Sequence, residues 1–406
     1  MPGKGIWLGA ASVAVALLAA LSWPWGAPAG GAATNVLSAA AGERPRGPDA
    51  APGVAADASP AARAERRQAL VQQLELADTT FCTYAGATRY PPLSRPISEH
   101  PDQVKPNAPV TESHAMRSAG GGSDDAVQIQ SSQSRVFMAS GEAVAFSLRA
   151  VDAAGAPLAL VITRATAQGM TYKGQRATAQ SALAFADDGQ GADAAAGDGA
   201  FAAVLAPAQT GLASFNGTIR TEVRYSVAGK NGFVLFDVIY TPELPATWSG
   251  AVREANEDGS LVYYLKANVL KAGRYVVQGR VDDARGQPFA LAGFNDLLPA
   301  GPAEIKLTVF GKLLRDKGPA LPLTLRDVDG YLLKENTDPD RALMPRLEGR
   351  VLVGQPHRLQ DFSPSEWDSE ERQRHLAEFS KDVTRARGAL RQFDPAQALP
   401  KSACAP

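Results

Sequence analysis

Four carboxylates crowd one glycine-rich stretch of the chain: Asp187, Asp188, Asp193 and Asp198, within Asp187-Asp188-Gly189-Gln190-Gly191-Ala192-Asp193 and Gly197-Asp198-Gly199-Ala200-Phe201. Hard cations such as calcium are held by clustered carboxylate and carbonyl oxygens on flexible loops, so these four aspartates are the candidate metal ligands and calcium the one candidate cofactor. The spacing is not that of an EF-hand, because the alternating Asp/Asn ligands and the closing Glu are missing. The same residue types also cap tight turns, with Asp oxygens accepting backbone N–H groups and Gly supplying positive φ. Both readings stand at this level.

Other chemistry is not announced. Histidines stand at His100, His114, His357 and His375, with no H-x-x-x-H spacing that would make two of them metal ligands. No nucleophile elbow, P-loop or dinucleotide fingerprint occurs. His375 lies in the charged C-terminal helix beside Arg372 and Arg374 and reads as solvated; Asp282-Asp283 reads as a turn-forming pair at a strand end. Catalytic and cofactor-binding residues are therefore assigned to none.

The acidic stretch is flanked by strand patterns. Val144, Phe146, Leu148 and Ala150 alternate with polar or small residues, and Ile219, Thr221, Val223, Tyr225 and Val227 alternate with Arg220, Glu222, Arg224 and Ser226. This period of two marks half-buried strands. Phe233 to Tyr240 follows a Gly229-Lys230-Asn231-Gly232 hairpin turn, and further strands are predicted over 261–265, 275–281, 305–310 and 321–328. An internal repeat orders them. Gly155-Ala156-Pro157-Leu158-Ala159-Leu160 recurs as Gly286-Gln287-Pro288-Phe289-Ala290-Leu291, and superposing the two puts Val144, Phe146, Leu148 and Ala150 on Tyr275, Val277, Gly279 and Val281. The inward faces agree, which a one-residue slip would reverse. Short strands between Gly/Pro turns predict a mainly β chain: two tandem immunoglobulin-like β-sandwiches, residues 126–245 and 246–357, with flanking N- and C-terminal helices. Trp248 is expected between the two domains.

Residues 59–125 are expected to hold a helix opening at Ser59-Pro60, with Leu70, Leu74 and Phe81 on one side, followed by irregular chain from Tyr90 to Asp125. Residues 358–406 are expected to hold a C-terminal helix and tail. Ser363-Pro364-Ser365-Glu366 reads as its capping box, and Leu376, Phe379, Val383 and Leu390 as its apolar stripe. Ahead of all this, Lys4, the apolar run from Ile6 to Leu21 and the small residues near Ala29 read as a signal peptide over 1–29, with an uncleaved anchor over Ile6 to Trp25 as the alternative, and 30–58 as a disordered linker. An exported chain with two cysteines, Cys82 and Cys404, is expected to join them in a disulfide, which would bring the two helices together.

Charge narrows the partners. Lys+Arg number 41 and Asp+Glu 42, with no basic stripe, which argues against nucleic acid. Once the signal segment is removed, no membrane span is expected. The loop pattern at Asp187, Asp188, Gly189, Asp193, Gly197, Asp198, Gly199 and Phe201 resembles an acidic signature of bacterial surface and secreted immunoglobulin-like modules, including choice-of-anchor X domains. Ala192 departs from it, standing where the signature has Gly. With Asn268 to Tyr275 and Val309 to Lys312, the chain resembles the domain-of-unknown-function family 4785, over about residues 80–380. That resemblance implies export and tandem modules and no assigned activity. The function expected is a periplasmic or secreted non-enzymatic binding or interaction protein, its partner an unidentified envelope or extracellular component. The alternative is a secreted effector or hydrolase whose active site is not recognisable from sequence.

Overall fold

Alternating apolar and polar residues become paired strands along most of the chain. The computed structural model describes residues 59–171 and 178–404. The signal segment 1–29 and the linker 30–58 lie outside the described residues. Twenty strands and three α-helices are built from the described chain, and all but one of the strand pairings are antiparallel.

Two sheets share the first core. One has the order Phe137–Ala139, Lys230–Thr241, Gly217–Val227, Leu160–Gly169, Gln180–Ala182. The other runs Val110–Arg117, Ser123–Gln133, Val144–Asp152, with Pro157–Leu158 and Phe201–Leu205 both along the outer edge of Val144–Asp152. Their inward residues, among them Met116, Ile129, Phe146 and Leu148 from one sheet and Val223, Tyr225, Phe236 and Tyr240 from the other, form one buried cluster. Phe146 and Phe236 meet across it with ring centroids 4.7 Å apart. Each fully buried side chain of this size stabilises by about 1.5–3 kcal/mol, so the shared face holds the two sheets together.

A second pair of sheets encloses the second core. Ser94–Pro96, Pro288–Leu298, Gly273–Asp282 and Thr324–Leu333 are adjacent in that order, and Arg341–Leu343 and Leu347–Val353 both pair with Thr324–Leu333. Opposite lies Ser260–Val269, flanked by Gly301–Val309 on one edge and by Ala246–Trp248 and Arg253–Glu257 on the other. Tyr263, Leu265, Tyr275, Val277, Leu307 and Leu325 belong to the buried cluster between them. Tyr240 is the last residue of the first cluster, and Ala246 opens the continuous run of the second. Trp248, expected between domains, packs instead on the second core and donates its indole N–H to the Pro345 carbonyl at 2.7 Å.

The internal repeat is a repeated hairpin. Asp152 accepts the backbone N–H groups of Ala154 and Ala156, and Asp283, at the equivalent place, accepts those of Arg285 and Gln287. Gly155 and Gly286 take the left-handed backbone that both turns require, at φ 84° and 74°. Inside the core one exchange is compensated. Where the first copy carries Leu148, the second carries Gly279, and Leu325, Leu307 and Val328 fill the space that a side chain there would occupy.

Several expectations are corrected. The stretch read as irregular, Tyr90 to Asp125, supplies the strands Ser94–Pro96 and Val110–Arg117 and the start of Ser123–Gln133. Val110–Arg117 is polar on both faces and buries only Met116, so periodicity could not reveal it. The hairpin predicted at Gly229–Gly232 is tighter. Val227 pairs with Lys230, so Ala228 and Gly229 make the turn, both at positive φ as a two-residue type I′ loop demands. Past Val309 the chain forms a short helix, Gly311–Lys317, where none was expected.

The helices flank the cores. α1 spans Pro60–Ala87, α2 Gly311–Lys317 and α3 Glu370–Phe393. α2 tucks Leu313 and Leu314 under the second core, and its first residue must be glycine because a Cβ there would meet the Gly259 carbonyl. α3 starts six residues later than the expected Pro364: Ser369 is the N-cap, its hydroxyl accepting from Arg372 N–H. Tertiary bonds engage the backbone before that point, with Ser363 N–H on the Gly259 carbonyl and Trp367 N–H on that of Arg89. α1 and α3 pack together through Leu74, Val383, Ala386 and Leu390. His375, expected to be solvated, keeps 43% of its side chain exposed while lying edge-on to Tyr84 and stacked on Phe379. Among the described residues no helix is long and apolar enough to cross a membrane.

Buried phenols make the cores sensitive to alkali. Burial pushes Tyr225 and Tyr275 up to about 12 and raises Tyr263 further. A phenol whose folded value is raised contributes stability that is complete below its ordinary value near 10 and is lost as pH climbs through the folded value. Stability in urea is therefore expected to be level up to about pH 10 and to fall steeply towards pH 12. Tyr225 and Tyr263 hydroxyls have no hydrogen-bond partner. Tyr225→Phe should therefore blunt the alkaline fall without loss at neutral pH, and a neutral-pH loss above about 1 kcal/mol would refute this.

Candidate functional site

The acidic stretch is a crossover between the two sheets of the first core. The chain leaves one sheet after Gln180–Ala182 and enters the other at Phe201–Leu205, and Ala186 and Ala202 exchange both backbone hydrogen bonds at the base of the loop. Inside the loop each aspartate accepts backbone N–H groups. Asp187 Oδ1 accepts from Gly197 at 2.6 Å and Asp198 at 3.2 Å, and Oδ2 from Gly199 at 3.0 Å. Asp193, 8% exposed, accepts from Gly189 at 2.6 Å and Ala195 at 3.4 Å. Asp188 accepts from Gln190 and Asp198 from Ala200. The turn-capping chemistry read from the sequence is thus present in full.

The same folding gathers three of the four carboxylates. Asp187, Asp193 and Asp198 each place an oxygen within 4.8 Å of the others, and among the described residues they are the only group of three or more His, Cys, Asp or Glu so disposed. Asp188 stands outside that group. Gly189 is obligatory at φ 69°, since a Cβ there would fall 2.9 Å from Ala196 N. At Ala192, where the resembled signature has Gly, the left-handed residue is displaced by one position, to Gly191 at φ 63°.

Asp187 organises the loop. Its replacement by alanine orphans three N–H groups and is expected to lower the melting temperature of the first core, with a loss of about 2 kcal/mol. Asp188→Ala, which frees one exposed N–H, should cost about 0.5 kcal/mol. Equal losses in chemical denaturation of the two variants would refute this hierarchy.

The histidines are dispersed. His100 sits between two short 3₁₀ turns, and His114 lies on the Val110–Arg117 strand with Nδ1 buried and unpartnered. His357 Nε2 meets Glu254 at 2.8 Å, and Glu254 also accepts Gln355 N–H, tying the chain after Leu347–Val353 to the Arg253–Glu257 strand. No histidine joins the aspartate group. The pair read as turn-forming divides: Asp283 caps its turn, while Asp282 is 2% exposed and faces Arg280, Arg326 and Asp327. Asp282 shares the strand face of Arg280, two residues earlier, and is buried there among Arg280, Arg326 and Asp327, which no local sequence signal marks.

Cys82 and Cys404 stand at disulfide distance, with Cα atoms 5.1 Å apart across a separation of 322 residues. Asp78 braces the junction, accepting the Ser402 hydroxyl at 2.8 Å and the Ala403 N–H.

No protein-family model matches the chain, and no curated protein does. Among solved structures it is similar to a DUF4785 family protein from Legionella pneumophila, at 13% identity and TM-score 0.37, over 56% of this chain and 57% of that one. This is the family the sequence resembles. The chain is also similar to the adhesin InvE of Yersinia pseudotuberculosis, at 13% identity and TM-score 0.16 over 54% and 58% of the two chains. Fibronectin(III)-like modules of Clostridium thermocellum CbhA match at 12% identity and TM-score 0.18, over 55% of this chain and 93% of that one. The chain spans little more than half the length of the first two. Superpositions this loose leave function to be argued from the chain itself.

Proposed function

We propose that this chain is an exported, non-enzymatic binding or interaction protein whose body is two immunoglobulin-like sandwiches. The modules begin at Val110 and Ala246, with Ser94–Pro96 added to the second, and a helical clamp joins the two ends of the described chain. The observation that carries export is the cysteine pair at disulfide distance, since such bonds persist in oxidising compartments. Paired antiparallel sheets whose three-carboxylate group stands apart from every histidine among the described residues support recognition as the reading. Calcium held by Asp187, Asp193 and Asp198 would stiffen the crossover between the first module's sheets, and Asp188 would not take part.

The experiment immobilises the oxidised protein and passes over it envelope and extracellular fractions of the source cells. Saturable retention of a component from either fraction is expected. Retention no greater than on a matched reduced and alkylated, unfolded sample would overturn the binding reading. Two titratable thiols in protein recovered from the export compartment would overturn the disulfide. For the metal, millimolar calcium is expected to raise the melting temperature of the parent and of Asp188→Ala but not of Asp193→Ala. No shift in the parent would remove calcium from the reading.

A further inference from the structure

The outer face of the Gly217–Val227 and Leu160–Gly169 strands breaks a rule of sheet design. Arg224 and Arg164 are direct cross-strand partners. Like charges placed opposite one another destabilise a sheet, so the pairing needs compensation. Arg224 has it, with Glu222 at 2.6 Å, and Arg220 is clamped by Asp237 through two hydrogen bonds. Arg164 is exposed and has no acidic partner among the described residues. These groups line a concavity of about 460 Å³ together with Thr166 and Gln168, and Glu222 is the only acid among the described lining residues. Of the three guanidiniums on this shallow polar trough, Arg220 and Arg224 are each paired with a carboxylate, and Arg164 alone brings a charge that no acid among the described residues offsets.

We infer that this trough binds an acidic glycan, a polysaccharide bearing carboxylate or sulfate groups. A guanidinium fork matches a planar or tetrahedral oxyanion with paired charge-assisted hydrogen bonds, and an anion between Arg164 and Arg224 relieves their repulsion. Thr166 and Gln168, on alternate positions of the same strand, offer hydroxyl and amide groups at the spacing of a repeating surface, suited to sugar hydroxyls. The inference rests on the binding reading above and narrows its ligand.

Binding of the full chain to polygalacturonate, dextran sulfate, neutral dextran and single-stranded DNA tests it. Polygalacturonate or dextran sulfate is expected to bind, and whichever binds more tightly assigns the anion; neutral dextran is expected not to bind. Arg164→Ala should weaken binding about tenfold or more, and Arg164→Glu, which turns the like-charge pair into an attractive one, should abolish it. Neither variant should lower the melting temperature, a readout that a merely structural arginine would move. Arg224→Ala supplies a second variant, with a similar loss of binding. Equal binding of neutral dextran, tighter binding of DNA than of either acidic glycan, or unchanged affinity in Arg164→Glu would overturn the inference. Failure of every glycan while envelope material is still retained would sink the ligand class and leave the binding reading standing.

Discussion

Replacing Arg280 by alanine is expected to destabilise the second core by about 3–5 kcal/mol at neutral pH, because it strands a buried carboxylate. Asp282 is 2% exposed. Arg280 Nη2 donates to its Oδ2 at 3.2 Å, and Nε approaches Oδ1 to 2.9 Å as an ion pair without hydrogen-bond geometry. Arg280 also reaches Asp327 at 3.3 Å and donates to the Val104 carbonyl, so it ties the N-terminal segment to the sheet. Arg326, 3.7 Å from Asp282, is too far to replace it.

The pH dependence separates lost charge from lost packing. Burial raises the Asp282 carboxyl, and Arg280, then Arg326, opposes that rise. A carboxyl raised in the folded state favours folding when protonated and loses that advantage as pH rises through its folded value. Without Arg280 the rise grows, so the deficit of Arg280→Ala should be large at neutral pH and smaller at acidic pH, as Asp282 takes up a proton. Urea titrations of both proteins at the two pH values measure it. The same deficit at both would mean that the arginine acts through packing alone.

Reduction of the Cys82–Cys404 pair should have the second large effect, and it should be local. A cross-link across 322 residues removes much of the freedom of the open chain, and such links contribute about 2–4 kcal/mol. The α1–α3 contact has only four buried apolar residues, Leu74, Val383, Ala386 and Leu390, and depends on that restraint more than either sandwich does. Hydrogen exchange in α1 and α3, and proteolysis after residue 393, should accelerate on reduction or in Cys82→Ser. Protection of the Ser260–Val269 and Gly217–Val227 strands should stay as it was. Uniform acceleration across both cores would show that the clamp is part of one cooperative unit, and no acceleration anywhere would show that the bond adds nothing.

Period and punctuation were enough to read much of this chain. Val144 to Ala150 and Ile219 to Val227 alternate because each strand has one buried face, and the two copies of the Gly-x-Pro hairpin betray their equivalence through the Gly that the turn requires. The apolar stripe of α3 and the Ser59-Pro60 start of α1 are similarly local. So is the acidic loop, since Asp and Gly have specific turn chemistry whatever surrounds them. Where a residue's role depends on its own backbone and near neighbours, sequence alone determines it.

Tertiary structure decided the rest. Val110–Arg117 has no apolar face and becomes a strand only because the free edge of Ser123–Gln133 supplies its hydrogen bonds. Pro364 begins no helix because Gly259 and Arg89 claim the backbone on either side of it. Which aspartates converge, that Asp282 is buried while Asp283 caps a turn, and that Arg164 faces Arg224 all follow from register between distant strands. Register is set by burial summed over a whole face, and no local pattern around the residues it brings together records it.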